Sequence, residues 1–315
     1  PQIRDYMEVW LPASALLVGM TTANSVLRAC GDTKTPSIVM AASGVVNAIL
    51  DPILIFGFGP IPALGIQGAA IATLISWIVA FFYLFYYLTK KLQLVYTGIP
   101  SLSIFISSSR EMLRIGIPAS GANMMTPLAA GIMTAIAASY GESTVAAFGV
   151  GSRIESIACL LVLARSSTLP PFISQNLGAG RMDRIMESYR LTMKFILVWQ
   201  MIVYVVMGLL AWVIAAVFTE DEAVASAIRL FIWILPLGYG LQGVVILTNS
   251  AFNALHKPMM ALYLSIARFF VFYVPLAWIG SMLFGLAGFY GGALLGNVIM
   301  AALSWRTFKS AMKFV

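Results

Sequence analysis

The chain has 315 residues, of which 60% are hydrophobic and only 10% are charged, with a formal net charge of +7. Charged residues make up about 25% of an ordinary soluble domain, so this composition excludes a water-exposed surface around a single core. The positive charge does not indicate a nucleic-acid-binding protein, because the basic residues lie in short loops between apolar runs. The composition is that of an all-α, polytopic membrane protein, whose outward-facing side chains can be apolar.

The apolar runs define the predicted transmembrane helices, each of which needs about 20 residues. Nine segments qualify, in chain order residues 9–30, 36–58, 65–89, 113–140, 144–173, 190–218, 226–252, 258–283 and 286–309. A longer polar linker, residues 90–112, follows the third segment. The sequence therefore predicts two domains, residues 1–100 with three spans and residues 101–315 with six.

Basic and non-basic loops alternate along the chain. Arg28 and Lys34 follow the first span, whereas residues 57–63 after the second span carry no charge, and the C-terminal tail is basic. Lys and Arg collect on the cytoplasmic side of membranes, so we expect the C-terminus to be cytoplasmic.

Two parts of the chain repeat each other. Residues 24–29 recur as residues 249–254, which lie 225 positions later, and residues 64–68 recur as residues 284–288, which lie 220 positions later. Both copies run in the same direction, as in transporters whose transport site lies between two parallel halves. The first copy has three spans and the second has six, so we expect three further helices before Pro1.

Asp51 lies in the middle of the second span. An ionisable side chain inside a bilayer costs roughly 2.5–3.5 kcal/mol on insertion scales and therefore usually has a function. Asn47 and Asp51 share a helix face, and Pro52 frees the carbonyl group of Ala48. These oxygen atoms suit Na⁺ or a proton, and the Thr73 hydroxyl could complete the site. The alternatives are an Asp–Asn hydrogen bond that only pins a kink, and a Thr73 hydroxyl bonded to its own helix.

A second intramembrane polar group consists of Arg153 and Glu155, after a Gly-rich turn at residues 149–152. Residues two positions apart do not face each other on a helix, so each needs another partner or the turn breaks the helix. Functional and structural roles are equally open for this pair. Arg165 and Arg268 also lie in apolar runs, and we expect them to be structural, paired across helices or snorkelling to the interface.

Prolines inside spans predict hinges, because proline kinks helices. The predicted hinge residues are Pro52, Pro127, Pro236 and Pro275. The sequence contains no nucleotide-binding, zinc or nucleophile motif. We therefore expect a protein that is not an enzyme, with no cofactor and no metal beyond a possible Na⁺ at Asp51 and Asn47.

Several segments resemble the multidrug and toxic compound extrusion (MATE) family. The resemblance is carried by residues 27–36 (Leu-Arg-Ala-Cys-Gly-Asp-Thr-Lys-Thr-Pro), 47–52, 65–73, 149–155, 175–180 and 251–254. It implies twelve helices in two six-helix lobes, of which this chain would carry helices 4–12. Residues 1–100 would then be the remnant of the N-terminal lobe, and residues 101–315 would be the C-terminal lobe.

The resemblance also implies a function. Family members are antiporters that export lipophilic, often cationic compounds by alternating access as Na⁺ or H⁺ enters, in the bacterial inner membrane. It places Asn47, Asp51 and Thr73 in the cation site of the N-terminal lobe. Thr126 stands where one branch of the family has Glu, so the chain looks closer to the DinF-type branch. The alternative is a flippase of the same superfold for lipids or lipid-linked oligosaccharides, which intramembrane arginines would suit. In both cases the partners are small substrates, ions and the bilayer, without nucleic acid.

Overall fold

The computed structural model describes residues 2–59, 62–96, 98 and 100–312, with the side chains of residues 2–6 and 9 left out. Every regular element in this part of the chain is a helix, which confirms the predicted all-α class. The chain divides into two compact units, Pro1–Ser101 and Leu102–Val315.

Three long helices make up most of the first unit as far as the structure describes it. They are α1 (Gln2–Ala29), α2 (Lys34–Phe56) and α3 (Gly65–Tyr86), and one π-helical turn, Tyr87–Lys91, extends α3. Helix α3 packs against both α1 and α2, whereas α1 and α2 touch each other much less. A buried apolar cluster that includes Met20, Leu27 and Leu84 holds α1 to α3.

The described part of the second unit contains nine α-helices joined by short breaks. They are α4 (Leu102–Ala138), α5 (Glu142–Ala158), α6 (Leu160–Gly178), α7 (Met182–Leu209), α8 (Ala211–Phe218), α9 (Glu222–Ile234), α10 (Tyr239–Ala254), α11 (Pro258–Ile266) and α12 (Val274–Ala311). A 3₁₀ turn, Leu235–Gly238, joins α9 to α10, and a π-helical segment, Ala267–Tyr273, joins α11 to α12. Helices α5 and α6 form a pair bent by 44°.

Helix α12 reverses direction in its middle. Phe284 and Gly285 have non-helical backbone angles, and Gly285 has a φ of +61°. On either side of this point the chain packs against itself, since Gly280 contacts Gly288 and Leu276 contacts Gly292 through backbone atoms. Residues 258–283 and 286–309, predicted as separate spans, therefore form a hairpin.

Six stretches of the described chain are long and apolar enough to cross a membrane, and the bent α5–α6 pair makes a seventh. The reversal within α12 means that one of the six, Pro258–Ala311, holds two predicted spans. The first predicted span, residues 9–30, falls in α1 except for Cys30, and α1 is not one of these stretches. The count of nine spans stays a prediction.

The predicted linker is too long. The sequence predicts a linker over residues 90–112, but α4 begins at Leu102, so residues 102–112 are helical. The polar run Ser107–Ser109 suggested a loop, whereas Ser costs an exposed helix only a few tenths of a kcal/mol (about 0.5) relative to Ala. The Leu, Met and Arg residues around that run have good helix propensity.

The predicted hinges fall in two classes. Pro236 lies in the 3₁₀ turn between α9 and α10, and Pro275 is the second residue of α12, directly after the π-helical segment. Pro52 and Pro127 lie inside helices that continue through them. Only the first two prolines coincide with a break in regular α-helix, and the hinge role of all four stays a prediction.

The sequence repeat is also a repeat of backbone conformation. Gly31 ends α1 with a φ of +89°, and His256, 225 positions later, ends α10 with a φ of +56°. In both copies the backbone N–H of the next residue donates to the carbonyl group five positions earlier. Asp32 donates to Leu27, and Lys257 donates to Phe252. These two helix ends belong to the two copies of one structural motif.

Candidate functional site

The three residues predicted for ion coupling lie together between α2 and α3. The Asn47 amide nitrogen donates to Asp51 Oδ1 at 3.3 Å and to Thr73 Oγ1 at 3.4 Å. The Thr73 hydroxyl in turn donates to the Ala69 carbonyl at 3.0 Å. All three side chains are partly buried. Polar groups from two different helices therefore converge on one point within an apolar hairpin.

This cluster can accept a small cation or a proton. Among the described residues, Asp51 Oδ2 has no hydrogen-bond donor, and Pro52 removes the amide that would otherwise bond the Ala48 carbonyl. The described chain holds no group of three or more His, Cys, Asp or Glu side chains that suits a metal ion. A single carboxylate among neutral oxygen atoms suits Na⁺ or H⁺ better than a divalent cation.

Arg153 and Glu155 point in different directions, as their spacing predicted. Arg153 is exposed, whereas Glu155 Oε1 accepts a hydrogen bond from Gln242 Nε2 on α10 at 2.7 Å. Helix α5 continues through the Gly-rich turn and ends at Ala158. Glu155 therefore belongs to the interior of the second unit, and its partner is 87 positions away in sequence.

Arg268 lies in the π-helical segment and is only 6% exposed. Its Nε donates to Asn297 Oδ1 on α12 at 3.3 Å, and its guanidinium group lies 4.5 Å from the centre of the Phe269 ring. Glu155 is near enough to interact with it electrostatically. Sequence reasoning placed Arg268 among structural charges and missed Gln242 and Asn297. The signal that was available is that both amides interrupt apolar runs.

Arg165 differs from Arg268 although both interrupt apolar runs. Arg165 is exposed, and its guanidinium group lies 5.1 Å from the centre of the Phe195 ring. This is the arrangement expected of an arginine that packs its stem on an apolar surface and keeps its charge outside.

Comparison with known proteins identifies the family. Residues 118–279 match the family model described as MatE, which is half of the chain. The chain belongs to the MATE family. It is 39% identical over 300 residues to a protein of Shewanella oneidensis named "FAD transporter", covering 95% of this chain and 66% of that protein. It is 30% identical over 294 residues to the probable multidrug resistance protein YpnP of Bacillus subtilis, covering 91% of this chain and 64% of that protein.

Solved MATE structures agree with this fold. The Vibrio cholerae MATE transporter VcmN in its bent form is 34% identical and superposes with a TM-score of 0.90, covering 98% of this chain and 69% of that one. This MATE chain thus spans 66% of the Shewanella protein and 64% of the Bacillus protein. Membership, together with the long apolar helices, places it among multi-pass membrane proteins, and the two relatives above are named as a transporter and a probable multidrug resistance protein. The DinF-type branch stays a prediction.

Proposed function

We propose that this MATE chain works in ion-coupled multidrug export, in which Na⁺ or H⁺ entering the cell drives lipophilic, often cationic compounds out by alternating access. The contact of Asn47 with both Asp51 and Thr73 is the observation on which this proposal rests. Relatives named for multidrug resistance or multidrug export, in Bacillus subtilis and Staphylococcus aureus, support the substrate class.

The proposed layout is that of a two-lobe transporter with six helices in each lobe. In this layout the first unit supplies helices 4–6 of the N-terminal lobe, and the second unit supplies helices 7–12 of the C-terminal lobe. The matching helix ends at Gly31 and His256 support it, as do the matching positive φ values of Gly65 and Gly285. The C-terminus would then be cytoplasmic.

The repeat also indicates that the polar cluster is not needed for folding. The α2–α3 contact of Leu54 with Gly68 corresponds to the contact of Gly280 with Gly288 in the second unit. Asp51 lies as far before Leu54 as Ala277 lies before Gly280, and Thr73 lies as far after Gly68 as Ala293 lies after Gly288. Ala277 and Ala293 are therefore the residues that correspond to Asp51 and Thr73, and both alanines are fully buried. The second unit thus builds the same hairpin with apolar side chains. A carboxylate that the fold does not require is best explained by a function.

The proposed mechanism links the charge of Asp51 to the conformation of the lobe. Entry of one elementary charge releases about 2.3 kcal/mol per 100 mV of membrane potential. That energy moves substrate only if ion binding favours one conformation over another. The Asn47 amide connects the Asp51 carboxylate on α2 to Thr73 on α3. A cation or proton that binds the Asp51 carboxylate would compete with the Asn47 amide and would weaken this connection between the two helices.

Asp51→Asn tests the proposal. Asn has nearly the same shape and still bonds to Asn47, but it carries no charge and binds no proton. In the full-length protein we expect ethidium efflux driven by an imposed Na⁺ or H⁺ gradient in proteoliposomes to be lost, with normal expression and folding. Asp183→Asn is the control, because that exposed carboxylate forms its ion pair with the neighbouring Arg181 at the start of α7, and it should transport normally. Unchanged efflux in the Asp51 variant would show that Asp51 is structural.

A second candidate function is export of flavin nucleotides. It is favoured by the 39% identity to the protein named "FAD transporter", together with the buried cation Arg268, which would repel a cationic drug. Efflux assays with FAD and with ethidium separate the two candidates. The flippase alternative has less support, since the relatives named above are described as multidrug or FAD transporters.

A further inference from the structure

A polar groove runs between α6 and α7 on the surface of the second unit, with a cavity volume of about 670 Å³. One wall is a single face of α7, because its lining residues recur at the spacing of an α-helix. They are Arg184, Glu187, Ser188, Leu191, Thr192 and Phe195. Arg165 and Phe172 on α6 form the opposite wall. A cavity of this volume lies within the range of ligand-binding sites.

Several polar side chains of this groove lack a polar partner within the chain. Among the described residues, Arg165, Arg184 and Glu187 take part in no ion pair. Thr192 is only 7% exposed, and its hydroxyl group has no hydrogen-bond partner in the part of the chain that the structure describes. The Ser167 hydroxyl on α6, by contrast, bonds to the carbonyl group one turn back at 3.2 Å. A buried polar group without a partner is costly, so the groove suits a ligand that supplies hydrogen-bond acceptors.

The groove crosses the boundary between water and the hydrocarbon core of the bilayer. Helix α7 has 28 residues, so it is roughly 42 Å long and exceeds a hydrocarbon core of about 30 Å. Its charged residues all lie between Asp183 and Lys194, so this end of α7 protrudes from the core. The lining of the groove begins at Arg184 in the protruding part and ends at Phe195 just beyond it. The groove is therefore at the depth of the lipid headgroups and the upper acyl chains.

Arg165 brings a second cation to the inner end of the groove. Its guanidinium group lies 5.1 Å from the centre of the Phe195 ring. Thr192 precedes Phe195 by three positions and lies on the same face of α7. Arginines near the ends of transmembrane helices extend their charge towards the headgroups. A guanidinium group and an unpartnered hydroxyl group thus line the groove at the same depth.

The groove matches an anionic lipid in charge and in apolar surface. Arg165 and Arg184 outweigh Glu187, so the groove carries a net positive charge. Leu191 is 61% exposed and Phe172 is 41% exposed, so both are open to acyl chains. Basic pockets between transmembrane helices on the cytoplasmic side bind anionic headgroups. The groove opens at the basic end of α7, which is the side on which Lys and Arg collect.

We propose that the α6–α7 groove binds the headgroup of an anionic phospholipid such as phosphatidylglycerol. Arg165 and Thr192 hold the phosphate group at the inner end, because guanidinium groups form strong charge-assisted hydrogen bonds to phosphate. Arg184 attracts the headgroup from the outer end, and Leu191 and Phe172 contact the acyl chains. This site goes beyond the proposed function, since it depends neither on the transported compound nor on the coupling ion.

Native mass spectrometry of the full-length protein tests the site, with phosphatidylglycerol and phosphatidylcholine that carry the same acyl chains. We expect the first phosphatidylglycerol to bind about 10-fold tighter than phosphatidylcholine. Arg165→Gln and Arg184→Gln should each remove most of that preference. Arg190→Gln is the matched control, because this exposed arginine lies on α7 but does not line the groove, and it should keep the preference.

Two further variants address the neutral and the acidic side chains. Thr192→Val keeps the shape but removes the hydroxyl group, and it should weaken phosphatidylglycerol binding about fivefold, as for one hydrogen bond. Glu187→Gln removes the negative charge of the groove and should tighten phosphatidylglycerol binding. A gain in affinity cannot result from misfolding, so this variant keeps the test decisive if the arginine variants fold poorly.

Four results would overturn the proposal. The first is equal affinity for the two lipids, and the second is an unchanged preference in both Arg165→Gln and Arg184→Gln. The third is tighter binding of phosphatidylethanolamine than of phosphatidylglycerol that Glu187→Gln abolishes, which would assign the groove to a headgroup amine. The fourth is displacement of phosphatidylglycerol by millimolar inorganic phosphate or FMN, which would identify a site for soluble anions.

Discussion

Gly68 on α3 lies directly against the backbone of Leu54 on α2, and a Cβ at Gly68 would collide with the Leu54 carbonyl group. This close approach lets Asn47 reach Thr73 from the neighbouring helix, at a distance of 3.4 Å. The separation of the two helix backbones thus determines whether the polar cluster can form.

Gly68→Ala should therefore push α2 and α3 apart. Overpacking of this kind costs about 1–3 kcal/mol, so we expect a lower melting temperature in detergent together with weaker gradient-driven efflux. Gly44→Ala is the control on α2, because a Cβ there meets no atom within 4 Å. Replacing a helical Gly by Ala in open space stabilises by roughly 0.5–1 kcal/mol. Equal effects of the two substitutions would contradict the role of this contact.

The Thr73 hydroxyl should affect ion affinity more than folding. Thr73→Val keeps the shape but removes the oxygen atom that accepts from Asn47. We expect the concentration of coupling ion at half-maximal efflux to rise about fivefold, as for one hydrogen bond worth about 1 kcal/mol. Thr73→Ser should restore the normal value. Thr22→Val removes an exposed hydroxyl that bonds only to its own helix and should have no effect. If Thr73→Val transports normally, the hydroxyl is not part of the ion site.

Asp32 should make stability depend on pH. The Thr35 hydroxyl and backbone amide, followed by the Tyr87 hydroxyl and the Lys34 amide, lower the pKa of Asp32 below its ordinary value of 3.8. A carboxyl group whose pKa is lower in the folded state stabilises above its unfolded pKa, and this contribution is lost as pH falls through the folded value. The difference in melting temperature between the unaltered protein and Asp32→Asn should be largest near pH 6 and should shrink below about pH 4. A difference that does not change with pH would argue against a stabilising role for the charged Asp32 carboxylate, which accepts from the Lys34 and Thr35 amides at the start of α2.

His256 holds a backbone conformation that suits Gly better. Its φ is +56°, and left-handed conformations cost a residue with a side chain roughly 1–2 kcal/mol. His256→Gly should therefore raise the free energy of unfolding by up to about 1 kcal/mol after the entropic cost of Gly, measured by thermal denaturation in detergent. Gly31→His, the reverse change at the corresponding position, should lower it. A stabilising Gly31→His would mean that the two helix ends are not equivalent.

The all-α class could be predicted from the sequence because a bilayer-spanning helix needs a long apolar run. It failed at the start of α4, where Ser107–Ser109 look like a loop but continue a helix. The contact of Asn47 with Asp51 was predictable because it is local, at four residues' spacing. Thr73, twenty-six positions from Asn47, could be included because a row of small residues indicated close helix packing.

The second polar cluster could not be assembled from the sequence. Gln242 is 87 positions from Glu155, and Asn297 is 29 positions from Arg268. Contacts at such separations depend on how α5, α10 and α12 pack, which the apolar pattern does not specify. The π-helical segment Ala267–Tyr273 had no distinctive residue pattern either, since its Phe, Val and Tyr residues occur equally in ordinary transmembrane helices.

The π-helical segment has a consequence for the register of the helix that contains it. Hydrogen bonds from residue i to i+5 accommodate one more residue than an α-helical turn does. Deleting one residue from Ala267–Tyr273 would therefore restore ordinary α-helix with little rotation between its two sides, because the wider turn already takes up the extra residue. The same deletion in ordinary α-helix would rotate the two sides by about 100°. The π-helical segment thus lets the chain carry one additional residue beside Arg268 while the helical faces before and after it keep their positions.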